Sequence, residues 1–131
     1  MRIFWWVILF VTLVVFFSYN NCFLEENPPL ADPYFWDFGK VSEGIVLKHV
    51  FNLKNDSPTT LVIKNLQTSC GCTGSVVSRN EIPPGKVSKV KVTFKTKGYS
   101  GKVKQYVYVY TTQAQNPIIK LTVEAEVIKE K

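Results

Sequence analysis

Alternation at period two constrains this chain more than any other feature. Val90, Val92 and Phe94 alternate with Lys89, Lys91, Thr93 and Lys95. Val103, Gln105, Val107 and Val109 then alternate with Lys104, Tyr106, Tyr108 and Tyr110, and Ile119, Leu121, Val123, Ala125 and Val127 with Lys120, Thr122, Glu124 and Glu126. Successive side chains of a strand point to opposite faces, so each run has one apolar and one wet face; a helix would scatter the same residues around its axis.

Earlier segments follow the same rule. Ile45, Leu47, His49, Phe51 and Leu53 share a face opposite Lys48, Asn52 and Lys54, up to a turn at Asn55-Asp56-Ser57-Pro58. From Thr60 to Gln67, Leu61 and Ile63 are in phase and Leu66 is out of phase, which predicts a bulge or bend near Asn65. A weaker strand around Ser75 to Ser78 precedes the turn Ile82-Pro83-Pro84-Gly85. Tyr34 to Gly39 predicts a short first strand whose rings seal one end of the core, followed by a turn at Ser42-Glu43-Gly44. About seven short strands with no crossover helix predict an all-β domain of two antiparallel sheets packed face to face.

The amino terminus obeys a different pattern. After Met1 and Arg2 no charge occurs until Glu25, and Ile3 to Phe17 is aliphatic and aromatic apart from Thr12. Such a block, extended through Ser18, Tyr19 and Asn20, approaches the ~30 Å hydrocarbon thickness as a helix. Trp5 and Trp6 near one end and Tyr19 near the other suit the two membrane interfaces. Arg2 before the span and Glu25 and Glu26 after it orient the amino terminus to the cytoplasm. The expectation is therefore a transmembrane anchor over residues 1–24, a Pro28-Pro29 tether over residues 25–33 and a β-sandwich over residues 34–131, outside the cytoplasmic membrane. Two alternatives compete: a cleaved, secreted chain, although Phe17-Ser18-Tyr19-Asn20-Asn21 offers no small-residue cleavage pair, and a lipoprotein modified at Cys22, although Tyr19 and Asn21 stand where a lipobox has Leu and a small residue.

Charge is uneven within a net +6: seven lysines between Lys86 and Lys104 share nineteen residues with no acid. Outside the cytoplasm nucleic acid is not an expected partner. Lysines on water-facing strand positions also discourage edge-to-edge pairing, and anionic lipid or an acidic protein is the other reading.

Several segments together resemble a known family. Phe38-Gly39-Lys40-Val41, Phe51-Asn52-Leu53-Lys54-Asn55, Ser69-Cys70-Gly71-Cys72-Thr73, Pro84-Gly85 before Val90-Lys91-Val92-Thr93-Phe94, and Gly101-Lys102 before the tyrosine strand occur in the order seen in the bacterial domain-of-unknown-function family 1573. The resemblance runs from Trp36 to Val127, with Ala125 where members often carry Gly. It implies an immunoglobulin-like sandwich on an exported bacterial protein, similar in shape to binding modules of cilia and pilus chaperones, and it implies no reaction.

Cys70 and Cys72 are the residues outside the anchor with covalent or metal chemistry. As a disulfide, a pair two residues apart closes a small, strained ring that is easily reduced, with Gly71 supplying unusual backbone angles. As thiolates, with His49, they would suit Cu(I) or Zn. The plainest reading is two small side chains at a sheet corner, and His49, on the apolar face of its strand, reads more simply as a buried, hydrogen-bonded histidine. No other enzyme machinery is apparent: the chain has one His, no G-x-S-x-G and scattered acids. Tyr106, Tyr108 and Tyr110 line up on one outer face, either packing over lysine stems or forming a partner-binding surface. The expectation is a non-enzymatic accessory subunit docking on another membrane or envelope protein, without a small-molecule substrate; the alternative is a periplasmic thiol-redox or metal-handling protein centred on Cys70 and Cys72.

Overall fold

The computed structural model describes residues 32–130, so the expected transmembrane helix, its interface rings Trp5, Trp6 and Tyr19, and Cys22 lie outside the described residues. Eight strands follow in order: β1 (Phe35–Ser42), β2 (Val46–Lys54), β3 (Leu61–Thr68), β4 (Thr73–Val77), β5 (Glu81–Ile82), β6 (Val87–Lys95), β7 (Gly101–Thr111) and β8 (Ile118–Ile128). They form a larger five-stranded sheet in the order β1-β8-β7-β3-β5 and a smaller three-stranded sheet in the order β2-β6-β4. The all-β sandwich expected from the alternation is present.

The strands β2, β6, β7 and β8 bury the faces their sequences predict. Phe51 and Leu53 on β2 and Val90 and Val92 on β6 meet Leu61, Ile63, Val107, Val109, Ile119, Leu121 and Val123 of the larger sheet in one core. Full burial of a side chain the size of Phe51 or Leu121 stabilises the fold by roughly 1.5–3 kcal/mol. The predicted irregularity near Asn65 is a register shift between Ile63 and Asn65, where β3 pairs with β7. It brings Leu66 back into partial contact with the core.

Three details depart from the sequence expectations. The larger sheet is mixed rather than antiparallel, because β1 runs parallel to β8, pairing Phe35 with Thr122 and Val41 with Val127. The chain enters along the outside of its own last strand, and a bulge between Asp37 and Lys40, where the Gly39 amide donates to Asp37 Oδ1 at 2.7 Å, keeps the two in step. The aromatic cluster of β1 also caps the core only in part. Tyr34 and Phe38 pack against it, while Phe35 and Trp36 stay 39% and 44% exposed at the sheet edge. Finally, a two-residue strand, β5, takes the first residue of the segment read as a turn, because Ile82 is fully buried opposite Leu61.

One corner is locked by an enclosed polar side chain. Asn55 is 0% exposed. Its Nδ2 donates to Thr59 O and Ile82 O, both at 2.7 Å, and its Oδ1 accepts from Ser57 N at 3.0 Å and Ser57 Oγ at 2.7 Å. Its backbone bonds to Lys86 O and Gly85 N. Both amide hydrogens and both carbonyl lone pairs are thus matched, which is the condition for burying an amide without penalty.

Candidate functional site

The segment joining β3 to β4 is held at both ends before it reaches the cysteines. Ser69 pairs with β7 through its amide to Tyr106 O at 2.9 Å, and its hydroxyl donates to Gln105 Oε1 at 2.7 Å while accepting from Tyr106 N at 3.0 Å. On the far side, Lys95 N donates to Cys72 O at 3.0 Å and Thr73 N to Cys70 O at 3.3 Å. Cys70-Gly71-Cys72-Thr73 is therefore one tight turn hung between the two sheets.

In that turn Cys70 and Cys72 are joined as a disulfide, with Cα atoms 5.4 Å apart. The unusual backbone angles expected of Gly71 do not take the form of a positive φ, which is found at Gly39, Gly44, Gly85, Gly98 and Gly101. The Cα separation lies within the ordinary range for a disulfide, so the turn closes without that backbone. Open space surrounds the position where a Gly71 Cβ would stand.

A residue from another strand connection completes the site. Gly98, at φ +85°, turns the loop after β6, and Tyr99 N bonds back to Thr96 O at 3.1 Å. The Tyr99 ring stands edge-on to Phe94 with centroids 5.4 Å apart. Its hydroxyl then lies 2.9 Å from Cys72 Sγ and 3.7 Å from Cys70 Sγ. Disulfide sulfurs carry no proton, so the tyrosine hydroxyl is the donor. Thr73 Oγ1 stands 3.6 Å from Cys70 Sγ and 3.7 Å from Cys72 Sγ, and Cys72 N donates to Cys70 Sγ at 3.2 Å. Both cysteines and Tyr99 are half-buried. Tyr99 escapes sequence reading because it sits in a Lys-Gly-Tyr-Ser-Gly loop; the one hint is a large aromatic amid turn residues.

His49 does not join them. It pairs with Val92 on the β2 side of β6, level with Ser75, whereas the cysteines precede β4 on the other side, so they are offset by about 10 Å across the strands and by about 10 Å or more along them. Among the described residues no cluster of three or more His, Cys, Asp or Glu side chains is placed to hold a metal. Nor is His49 the buried, hydrogen-bonded residue expected. Its ring stacks on Trp36 at 4.1 Å and meets Phe51 edge-on at 4.6 Å, and desolvation there holds its pKa below the usual histidine value.

The outer faces of the two sheets differ. On the larger sheet Tyr106, Tyr108 and Tyr110 are half-exposed, with Tyr106 and Tyr108 ring centroids 6.4 Å apart. Lys120 Nζ lies 5.2 Å from the Tyr106 ring centre, and Tyr110 Oη donates to Gln67 Oε1 at 3.0 Å. Phe35 shares a row with Thr122 and Tyr106, and Ile118, opposite Tyr110, is exposed. The smaller sheet presents Lys48, Lys89, Lys91 and Lys95 among exposed Val46, Val50, Val76 and Val87. The lysine-rich run is thereby divided, because Lys102 and Lys104 lie on β7 opposite Glu126 and Glu124, and Lys104 pairs with Glu124 at 3.1 Å. At the Asn55 end an open cleft of about 890 Å³ is lined by hydroxyl and amide groups including Thr59, Thr112, Gln113 and Gln115, with Tyr34 and Ile119.

No curated protein matches the chain. Among solved structures it is similar to a protein of unknown function from Porphyromonas gingivalis W83, with TM-score 0.64 and 19% identity over 71% of this chain and 44% of that one. The VesB protease of Vibrio cholerae gives TM-score 0.61 and 10% identity over 70% of this chain and 30% of that one. The PapD-like domain 7 of human CEP192 gives TM-score 0.57 and 14% identity over 75% of this chain and 83% of that domain. The chain thus spans less than half the length of the first two, and these likenesses are of fold alone. The family described as "Protein of unknown function (DUF1573)" matches residues 32–127, and the chain belongs to it.

Proposed function

We propose that this chain is a non-enzymatic docking subunit, held outside the cytoplasmic membrane by its amino-terminal apolar segment, that binds another envelope protein through the outer face of the larger sheet. The observation that carries this reading is the tyrosine row. Tyr106, Tyr108 and Tyr110 project from one strand beside exposed Phe35 and Ile118. Aromatic rings with polar tips are enriched where interfaces exclude water yet keep hydrogen bonding. The Lys120 and Gln67 contacts already restrict Tyr106 and Tyr110, which lowers the ordering cost of docking. The anchor would restrict the domain to the membrane plane, raising its effective concentration near a membrane-bound partner.

Replacing Tyr106, Tyr108 and Tyr110 together by Ser tests this. Mild detergent extraction of the full chain is expected to recover a co-purifying envelope protein from the native sequence and to lose it from the variant, with the melting temperature of the sandwich little changed. An unchanged co-purification would show that the tyrosines serve only as surface packing.

A further inference from the structure

We infer that the Cys70–Cys72 disulfide is a thiol–disulfide exchange site, which accepts two electrons from a dithiol and uses Tyr99 to receive the leaving thiolate. The inference is independent of the docking face. It rests on three features: the disulfide spans a single residue, its two cysteines are half-buried rather than sealed, and two hydroxyls converge on its sulfurs. A structural staple closes a long loop and is most effective when enclosed; this one closes almost no chain.

The geometry also gives the two sulfurs different roles. Cys72 Sγ has the shorter and more acidic donor, the Tyr99 hydroxyl at 2.9 Å, while Cys70 Sγ has the weaker Cys72 amide at 3.2 Å and stands 3.7 Å from that hydroxyl. Negative charge is better stabilised on Cys72, so Cys70 is the sulfur attacked. Apart from the two cysteines that flank it, nothing stands within 4 Å of where a Gly71 Cβ would be. A thiolate of the incoming dithiol attacks Cys70 Sγ, the Cys70–Cys72 bond breaks, and its electron pair passes to Cys72 Sγ, where Tyr99 and Thr73 donate hydrogen bonds. The donor is now joined to Cys70 as a mixed disulfide. Its second thiol, as thiolate, attacks its own bridged sulfur, releasing Cys70 as a thiolate. Cys70 and Cys72 take up the two protons that the donor's thiols gave up. The donor leaves as a disulfide and the turn as a dithiol, with two electrons and two protons transferred.

The test uses the full chain in detergent with dithiothreitol as the dithiol. After timed acid quench and alkylation, mass spectrometry of the tryptic peptide Asn65–Arg79, which holds Cys70 and Cys72 but not Cys22, counts the freed thiols. The native protein is expected to gain two alkyl groups in its folded state, and Tyr99→Phe, which keeps the ring against Phe94, to slow the reaction about fivefold, the scale of one lost hydrogen bond. With Cys72→Ser, oxidised glutathione is expected to form a stable adduct at Cys70. A disulfide that dithiothreitol reaches only after denaturation, a Tyr99→Phe rate equal to the native rate, or no adduct at Cys70 would each overturn the inference.

Discussion

The two ends of β6, about 30 Å apart, treat polar groups in opposite ways. At its start Asn55 is enclosed, and every hydrogen-bonding atom of its side chain has a fixed backbone or Ser57 partner. At its end the Cys70–Cys72 pair and Tyr99 are half-open, and their mutual contacts hold no strand in place. The Asn55 corner joins β2, the β5 segment and the turn before β6, so the fold depends on it. The cysteine turn hangs from Ser69 and Lys95, whose bonds would persist without sulfur. Burial with complete pairing marks a structural group; partial exposure with convergent donors marks a group available for chemistry.

Asn55→Ala should give the largest effect, since it strands the buried Ile82 O, takes the partner from the Ser57 amide and opens a cavity in an enclosed corner. A loss of about 3 kcal/mol is expected, lowering Tm by more than about 10 °C in thermal unfolding followed by circular dichroism. Cys70→Ser with Cys72→Ser should cost less than about 2 kcal/mol, because so short a loop constrains little of the unfolded chain. Equal losses from the two variants would erase the distinction between the ends.

The smallest effect concerns His49, midway along β2. Its ring favours the neutral form in the folded state, so the unfolded chain binds more protons below its ordinary pKa. Stability is therefore complete above about pH 6.5 and declines as pH falls from there through the lower folded pKa. Denaturant midpoints between pH 7 and 5 should fall for the native chain and stay flatter for His49→Gln; parallel curves would remove this contribution.

Much of the sandwich was legible because alternation leaves little freedom. The faces of β2, β6, β7 and β8 and the bulge near Asn65 follow from which residues must leave water. The parallel pairing of β1 was not legible, since period two fixes which way side chains point and says nothing of the neighbouring strand. The same limit hid the site. Cys70 and Cys72 announce themselves by type and spacing, but Tyr99 reaches them through the Thr73–Phe94 register and the Gly98 turn. His49 misled for the converse reason: its residue type suits a metal, while its strand lies on the other side of β6.

The docking claim is tested most directly by placing a photo-reactive amino acid in the full-length, membrane-inserted chain, at Tyr108 in one variant and at Lys91, on the opposite sheet, in another. A discrete crosslinked product carrying one envelope protein from position 108, and none from position 91, is the predicted result. Crosslinking from 91 alone, equally from both, or from neither would contradict it.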